Sequence, residues 1–227
     1  MGNLAMPAMK KDELIPHLFR GEFSKITSLL GKYMGIEHLE VAEDLASETS
    51  LAAMQTWAYK GIPEKPTAWL YLVAKNKAKN YLRRTKLFSD KILPDLLLSG
   101  QHNYPGDIDM SEKNIGDAQL QMLFAICHPV IPAESQIGLS LRILCGFGIH
   151  EIANAFLTTK ETINKRLFRA REKLREEKVS IRIPTPVEMN KRLQTVLRTL
   201  YLLFNEGYYS ESNDRIIRKE LCWKLSG

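Results

Sequence analysis

Apolar residues recur along this chain at three- and four-residue steps almost from end to end, and no run sustains the alternation of a half-buried strand. The pattern predicts helices near residues 11–20, 22–34, 39–58, 66–86, 117–127, 133–145, 149–156, 160–177, 187–205 and 213–225. The breaks carry fitting punctuation. Gly61-Ile62-Pro63 and Lys65-Pro66 end one helix and begin the next, Pro129 and Pro132 bracket a short connection, and Pro184 and Pro186 separate the last long segments. The expected fold class is therefore all-α. After the apolar stretch Leu93 to Leu98, the run GQHNYPGDIDMSEKN is polar and turn-rich. A loop that long is uncommon inside a compact domain. The expected organisation is a helical domain over 1–88, a linker over 89–116, a second helical domain over 117–180 and a helical extension over 185–227.

Composition narrows this picture mainly by exclusion. A length of 227 residues suits two small domains, and a hydrophobic fraction of 44% is enough to build their cores. No apolar stretch reaches the length of a membrane span. The start MGNLAMPAMKKDELIPHLF lacks the features of a secretory signal, and Met6 stands where myristoylation wants Ser or Thr. These features point to the cytoplasm, with no membrane partner. Cys127, Cys145 and Cys222 form no CxxC pair, so neither a disulfide framework nor a zinc site is expected. Cys127-His128 are adjacent at a helix end, where neighbours point apart, and a packed thiol is the simpler reading. No metal or cofactor is expected.

Charge adds more through its distribution than through its net value of +6. Residues 75–86 carry six bases (Lys75, Lys77, Lys79, Arg83, Arg84, Lys86) and no acid, and residues 160–178 carry eight bases against four acids. Residues 37–48 carry five acids (Glu37, Glu40, Glu43, Asp44, Glu48) and neither Lys nor Arg. Two basic blocks and one acidic block suggest two kinds of partner. The sharpest local signal is GFGIHEIANAFLTTKETINKRLFRAREKLREEK at 146–178. A short helix from Ile149 to Phe156, the turn Leu157-Thr158-Thr159 and a basic second helix capped by Thr159 have helix-turn-helix form. Ile163, Leu167, Ala170 and Leu174 make one packing face of the second helix, while Lys165, Phe168, Arg169 and Glu172 lie opposite. An aromatic between bases suits a major groove, where Arg forks onto guanine and Phe meets a thymine methyl. Lys160 and Thr162 at its start, and Arg171, Lys173 and Arg175 further on, are placed to follow phosphates. A merely solvated basic helix is the bland alternative.

In the first domain, Trp69, Val73, Asn76, Asn80 and Arg83 recur at three- and four-residue steps. A stacking surface, amides and cations on one stripe are what an unstacked single strand requires. Lys60, Lys75, Lys79 and Arg84 add charge along its path. The alternative is that Trp69 and Val73 are core residues and the asparagines merely polar surface; the stripe alone does not decide.

The acidic AEDLASE stretch, PTAWLYLVAKNKAKNYLRR, and PAESQIGLSLRILCGFGIHEIANAFLTTKETINKRLFRAREKLR together resemble the extracytoplasmic-function (ECF) group of bacterial sigma factors over residues 11–178. The resemblance implies an N-terminal domain that clamps RNA polymerase core and melts the minus-ten element, and a C-terminal helix-turn-helix that reads the minus-thirty-five element. On it, Asp44, Leu45 and Glu48 fall in the helix that docks on the coiled coil of the largest polymerase subunit. Asn76, Asn80 and the loop Tyr59 to Lys65 fall where minus-ten bases are held, and Asn164, Lys165, Phe168 and Arg169 fall on upstream reading positions. One departure stands out: Ala46-Ser47-Glu48-Thr49-Ser50 is smaller and more polar than the docking helix of the group.

Beyond residue 186, Val196, Leu197, Leu200, Leu203 and Phe204 form an apolar stripe. LYLLFNEGYY, with CHPVIP at 127–132, resembles a subgroup whose C-terminal extension continues into tetratricopeptide-like helices; here it runs to Gly227. Leu221 and Trp223 are expected to pack on the preceding helix. An anti-sigma factor and self-regulation by the extension are two routes of control to consider. A helix-turn-helix regulator without polymerase contact would leave the acidic helix and the aromatic-asparagine stripe unused. A protein-only scaffold would leave the basic blocks unexplained. An enzyme fits least, since no phosphate loop or nucleophile elbow is present and the five histidines form no constellation.

Overall fold

The computed structural model describes residues 11–92 and 108–208, and among these every regular element is helical. The elements are α1 (Lys11–Met34), a 3-10 turn (Ile36–His38), α2 (Leu39–Lys60), α3 (Pro66–Ile92), α4 (Glu112–Ile126), α5 (Ala133–Cys145), α6 (Ile149–Ala155), α7 (Lys160–Glu176) and α8 (Pro186–Tyr208). Two hydrophobic clusters hold them. The first joins Ile26, Leu29, Leu30 and Met34 of α1 to Ala42, Leu45, Ala46, Ala53 and Trp57 of α2 and to Leu70, Ala74, Ala78 and Leu82 of α3. Alanines at these contacts let helix axes approach closely. The second collects α5, α6 and α7 around Leu139, Ile143, Ile152, Ile163 and Leu167, with Val196 of α8.

Several boundaries differ from the sequence expectation. The helices expected at 11–20 and 22–34 are one continuous helix; at Gly21 nothing crowds the missing side chain, and the single helical glycine does not break it. The linker expected over 89–116 is partly helical. α3 continues to Ile92, and α4 begins at Glu112 behind Ser111, whose hydroxyl accepts from the Asn114 N–H. α4 also serves both clusters: Ile115 and Ala118 belong to the first, and Met122 to Ile126 to the second. The second cluster in turn takes Ile36 and Leu39 from the first half of the chain. On the extension, Val196 is buried and Leu200 half-buried, but Leu197 faces solvent, so the expected apolar stripe only partly packs. The side chains of Leu203 and Phe204, the helix expected at 213–225, and Leu221 and Trp223 lie outside the described residues. No described helix is long and apolar enough to cross a membrane.

Candidate nucleic-acid interface

The helix-turn-helix is built from local chemistry. α6 starts at Gly148, whose N–H donates to Glu151 Oε2 at 2.7 Å. It ends at Phe156, and Leu157 turns the chain with a φ of 50°, a left-handed conformation that a branched residue adopts at a cost. The Thr158 N–H closes the turn on the Ala153 carbonyl at 2.9 Å. Thr159 then caps α7 by accepting from the Thr162 N–H at 3.2 Å.

α7 divides as its periodicity predicts. Ile163, Leu167, Ala170 and Leu174 are buried. Lys160, Thr162, Asn164, Lys165, Phe168 and Arg169 are exposed, with Phe168 presenting 56% of its surface. Lys165 pairs with Glu161 at 2.6 Å one turn back, a solvated contact that a competing phosphate or base can displace. Beside this face a groove is lined by Pro132 and Glu134 at the start of α5 and by Thr162, Lys165 and Arg169. The second half of α7 departs from expectation. Arg171 keeps only 13% of its side chain exposed and binds Glu43 of α2 at 2.5 Å, so in this conformation it cannot follow a phosphate backbone. Arg175 reaches Glu40 and Glu172. Lys173 stays at the surface, and its hydrogen bond and charge contact with Glu176, then those with Glu177, hold its pKa above the usual range.

On α3 the buried stripe is Leu70, Ala74, Ala78 and Leu82. The far side of the helix carries Asn76, Asn80 and Arg83, while Trp69 and Val73 reach back to the edge of the core. Asn76, Asn80, Arg83 and Arg84 are exposed, as are Lys60 and Lys79; Lys75, Val73 and Trp69 are half-buried. The Trp69 ring meets Trp57 edge-on at 5.5 Å, and Trp57 stacks on Phe19 at 5.5 Å. Trp69 is thus anchored in an aromatic cluster, and only part of its surface is available for stacking. Among the described side chains of this region the most exposed ring is Tyr59, at 92%, at the entrance to the loop that precedes α3.

On α2, Leu45 is 7% exposed and packs in the first cluster, which removes it as a docking side chain. Asp44 and Glu48 are exposed, although Glu48 is tied to Lys77 at 2.6 Å. The sequence reading missed their continuation: Leu51, Gln55 and Ala58 are exposed too, and 44, 48, 51, 55 and 58 follow the four-three spacing of a seam that meets another helix. The polar run 46–50 fits the helix because Ser47, Thr49 and Ser50 donate to the carbonyls of Glu43, Leu45 and Ala46 at 3.0, 2.7 and 3.2 Å. Cys127 is a packed thiol, 3.9 Å from the Thr199 hydroxyl, and burial pushes its pKa up to about 11.

Known proteins match parts of this chain. Residues 18–88 match the Sigma-70 region 2 family, which takes in α1 from Leu18, α2 and α3 through Phe88. Residues 192–226 match a family of unknown function. An uncharacterized protein of Rhizobium meliloti (strain 1021) is 31% identical over 198 residues, covering 82% of this chain but 44% of its own length. The chain thus spans less than half of that relative. The ECF RNA polymerase sigma-E factor of Haemophilus influenzae is 28% identical over 156 residues, covering 66% of this chain and 79% of its own. Residues 18–88 thus carry a Sigma-70 region 2 domain, and the chain is similar to an ECF-type sigma factor.

Proposed function

We propose that this chain directs RNA polymerase core to specific promoters and starts transcription there. The observation that carries the reading is the coincidence of the region 2 match at 18–88 with the exposed α2 seam and the exposed amides of α3. In this account Asp44, Glu48, Leu51, Gln55 and Ala58 meet a coiled coil of the largest polymerase subunit. Tyr59 stacks on an unpaired base, Asn76 and Asn80 bond base edges, and Lys60, Lys75, Lys79, Arg83 and Arg84 track the strand. Lys165, Phe168 and Arg169 read the upstream element in the major groove, with Asn164 beside them and Lys160 and Thr162 near the phosphates. The chain contributes binding and specificity, and the bond-forming chemistry belongs to the polymerase. The cytoplasm is its place of action. Control by an anti-sigma factor, or by the extension that begins with α8, belongs to the same proposal.

Gel filtration with core enzyme followed by run-off transcription on genomic fragments tests it. Co-elution and promoter-specific transcripts are the expected result. DNA binding by the chain without co-elution would instead favour a helix-turn-helix regulator that never touches the polymerase.

A further inference from the structure

Where α7 ends, the chain folds back over a cavity set apart from the reading face of that helix. Glu177 closes α7, Lys178 takes a left-handed φ of 49°, and residues 179–185 lead into α8. The cavity holds about 160 Å³ and is walled by this connection, by His128 behind α4 and by the first turns of α8. Arg192 of α8, 8% exposed, brings a buried charge to the lining. Its Nη1 donates to the Phe124 carbonyl at 2.9 Å, which pins the guanidinium. The Glu188 carboxylate stands 3.8 Å from Nη2, beyond hydrogen-bond reach.

The charge in this cavity is incompletely matched. Glu188 commits Oε2 to the N–H and the hydroxyl of Thr185, both at 2.9 Å, at the start of α8. Those two bonds come first in holding its carboxyl below the usual range. The same oxygen is 3.6 Å from Arg182, again too far for a hydrogen bond. Glu177 leans the other way, 3.5 Å from Lys173 on the surface of α7. Lys178, Arg182 and Arg192 thus face two carboxylates that are engaged elsewhere. Two neutral donors complete the lining. The Ser180 hydroxyl accepts from Arg182 Nε at 3.0 Å, which leaves its own proton to donate. His128 Nδ1 accepts from the Val130 N–H at 3.2 Å, so the neutral ring carries its proton on Nε2. Burial, and then the Arg192 charge, hold the pKa of His128 below the usual range and keep that ring neutral.

We propose that this cavity binds a small phosphate-bearing ligand, gripped by Arg192 and Arg182, with Lys178, Ser180 and His128 completing the donor set. Guanidiniums present paired N–H donors that match phosphate oxygens, and a buried one is the stronger partner because water screens it less. A buried cation without a close counter-ion is unfavourable, and an anion beside it offsets that penalty. The room limits the ligand. Pockets for drug-sized molecules run to about 300–1,000 Å³, so inorganic phosphate or a short phosphomonoester fits here and a nucleotide does not. A DNA backbone phosphate suits the site less well. The cavity lies about 18 Å along the axis from Lys165, at 1.5 Å per residue, whereas the N-terminal part of a recognition helix is what enters a groove. Because the lining spans the ends of α4 and α7 and the start of α8, bound phosphate ties α8 to the helix-turn-helix and stabilises the chain by mass action. The site does not depend on the sigma-factor reading.

Titration calorimetry of the full chain with inorganic phosphate, at constant ionic strength in a zwitterionic buffer, tests the site. Saturable binding at one site per chain is expected, with a melting temperature that climbs with phosphate but not with chloride at equal ionic strength. Arg182→Gln and Arg192→Lys should each weaken binding by about tenfold or more. Arg182 is exposed, so its variant keeps the helical signal by circular dichroism even if the buried Arg192→Lys does not. Arg169→Ala, on the reading face of α7, should bind phosphate as wild type does. Absence of saturation in wild type, or wild-type affinity in folded Arg182→Gln, would overturn the proposal. Equal loss in Arg169→Ala would overturn it too, by placing the anion on the reading face. Displacement of phosphate by a duplex of unrelated sequence, with duplex binding lost in Arg182→Gln, would assign the site to the DNA backbone and remove the small ligand.

Discussion

α7 and α3 are both basic helices on which a nucleic-acid role rests, yet they part their faces differently. On α7 the buried line Ile163, Leu167, Ala170, Leu174 and the exposed line Lys165, Phe168, Arg169 lie on opposite sides. On α3 the buried line Leu70, Ala74, Ala78, Leu82 also leaves Asn76 and Asn80 on the far, exposed side, but Trp69 and Val73 of the same stripe are half-buried, so the candidate stripe is part wall and part rim. The difference follows from the work each helix is proposed to do. A groove reader projects side chains straight outward into an intact duplex, whereas a surface that holds an unpaired base needs a wall as well as a rim. In the proposed account Trp69 supplies that wall, held in place by Trp57 and Phe19 behind it.

The harshest way to break the comparison is Leu167→Asp. An unpaired carboxylate at a position 1% exposed costs several kcal/mol, a large share of a small domain's stability. The variant should lose the helical signal of α5–α7, read by circular dichroism, with the cuts of limited proteolysis confined to the second half. Loss of α1–α3 in the same transition would show that α4, which serves both clusters, makes the chain one unit.

Next come Lys165→Ala and Arg169→Ala, which should leave the melting temperature alone and flatten base preference at the upstream element. Losing a bidentate base contact removes about 1–3 kcal/mol of discrimination. Binding to a panel of single-base promoter variants measures it, and an unaltered profile for both variants would reduce the outer face of α7 to a solvated surface. Arg171→Ala sharpens the point, since its partner is Glu43 and it should not change base preference.

Much of this was legible in sequence, and the failures share a cause. Strong amphipathicity with a charged outer face located α7, its cap Thr159 and its packing line. Periodicity cannot tell a charge that faces water from one that faces another helix of the same molecule. Glu43, Glu40, Arg171 and Arg175 therefore looked like partner surface while being matched to one another. Leu45 is the apolar counterpart, adjacent in sequence to exposed Asp44 but on the buried side. The start of α4 was hidden because its first turn, Glu112-Lys113-Asn114, is polar, although Ser111 is a legible cap. Gly21 suggested a break that a long, well-packed helix overrides.

The smallest effect lies in the turn between α6 and α7. Leu157 is 96% exposed in a left-handed conformation, so it pays backbone strain with little burial in return. Leu157→Gly should raise the melting temperature slightly, by up to about 1 kcal/mol in stability, because glycine adopts that conformation freely. A drop instead would mean that the Leu157 side chain packs in solution.

The central claim is that α3 holds an opened strand while α7 reads a closed one. Permanganate footprinting of the minus-ten region, with core enzyme carrying wild type or Asn76→Ala, tests it most directly. Asn76 is exposed on the rim, and its amide offers both a donor and an acceptor to a base edge, whereas the surrounding phosphate contacts are redundant. The account predicts that Asn76→Ala keeps core binding and upstream DNA binding but loses most thymine reactivity. Thymine reactivity equal to wild type would contradict it and leave Asn76 an ordinary surface residue.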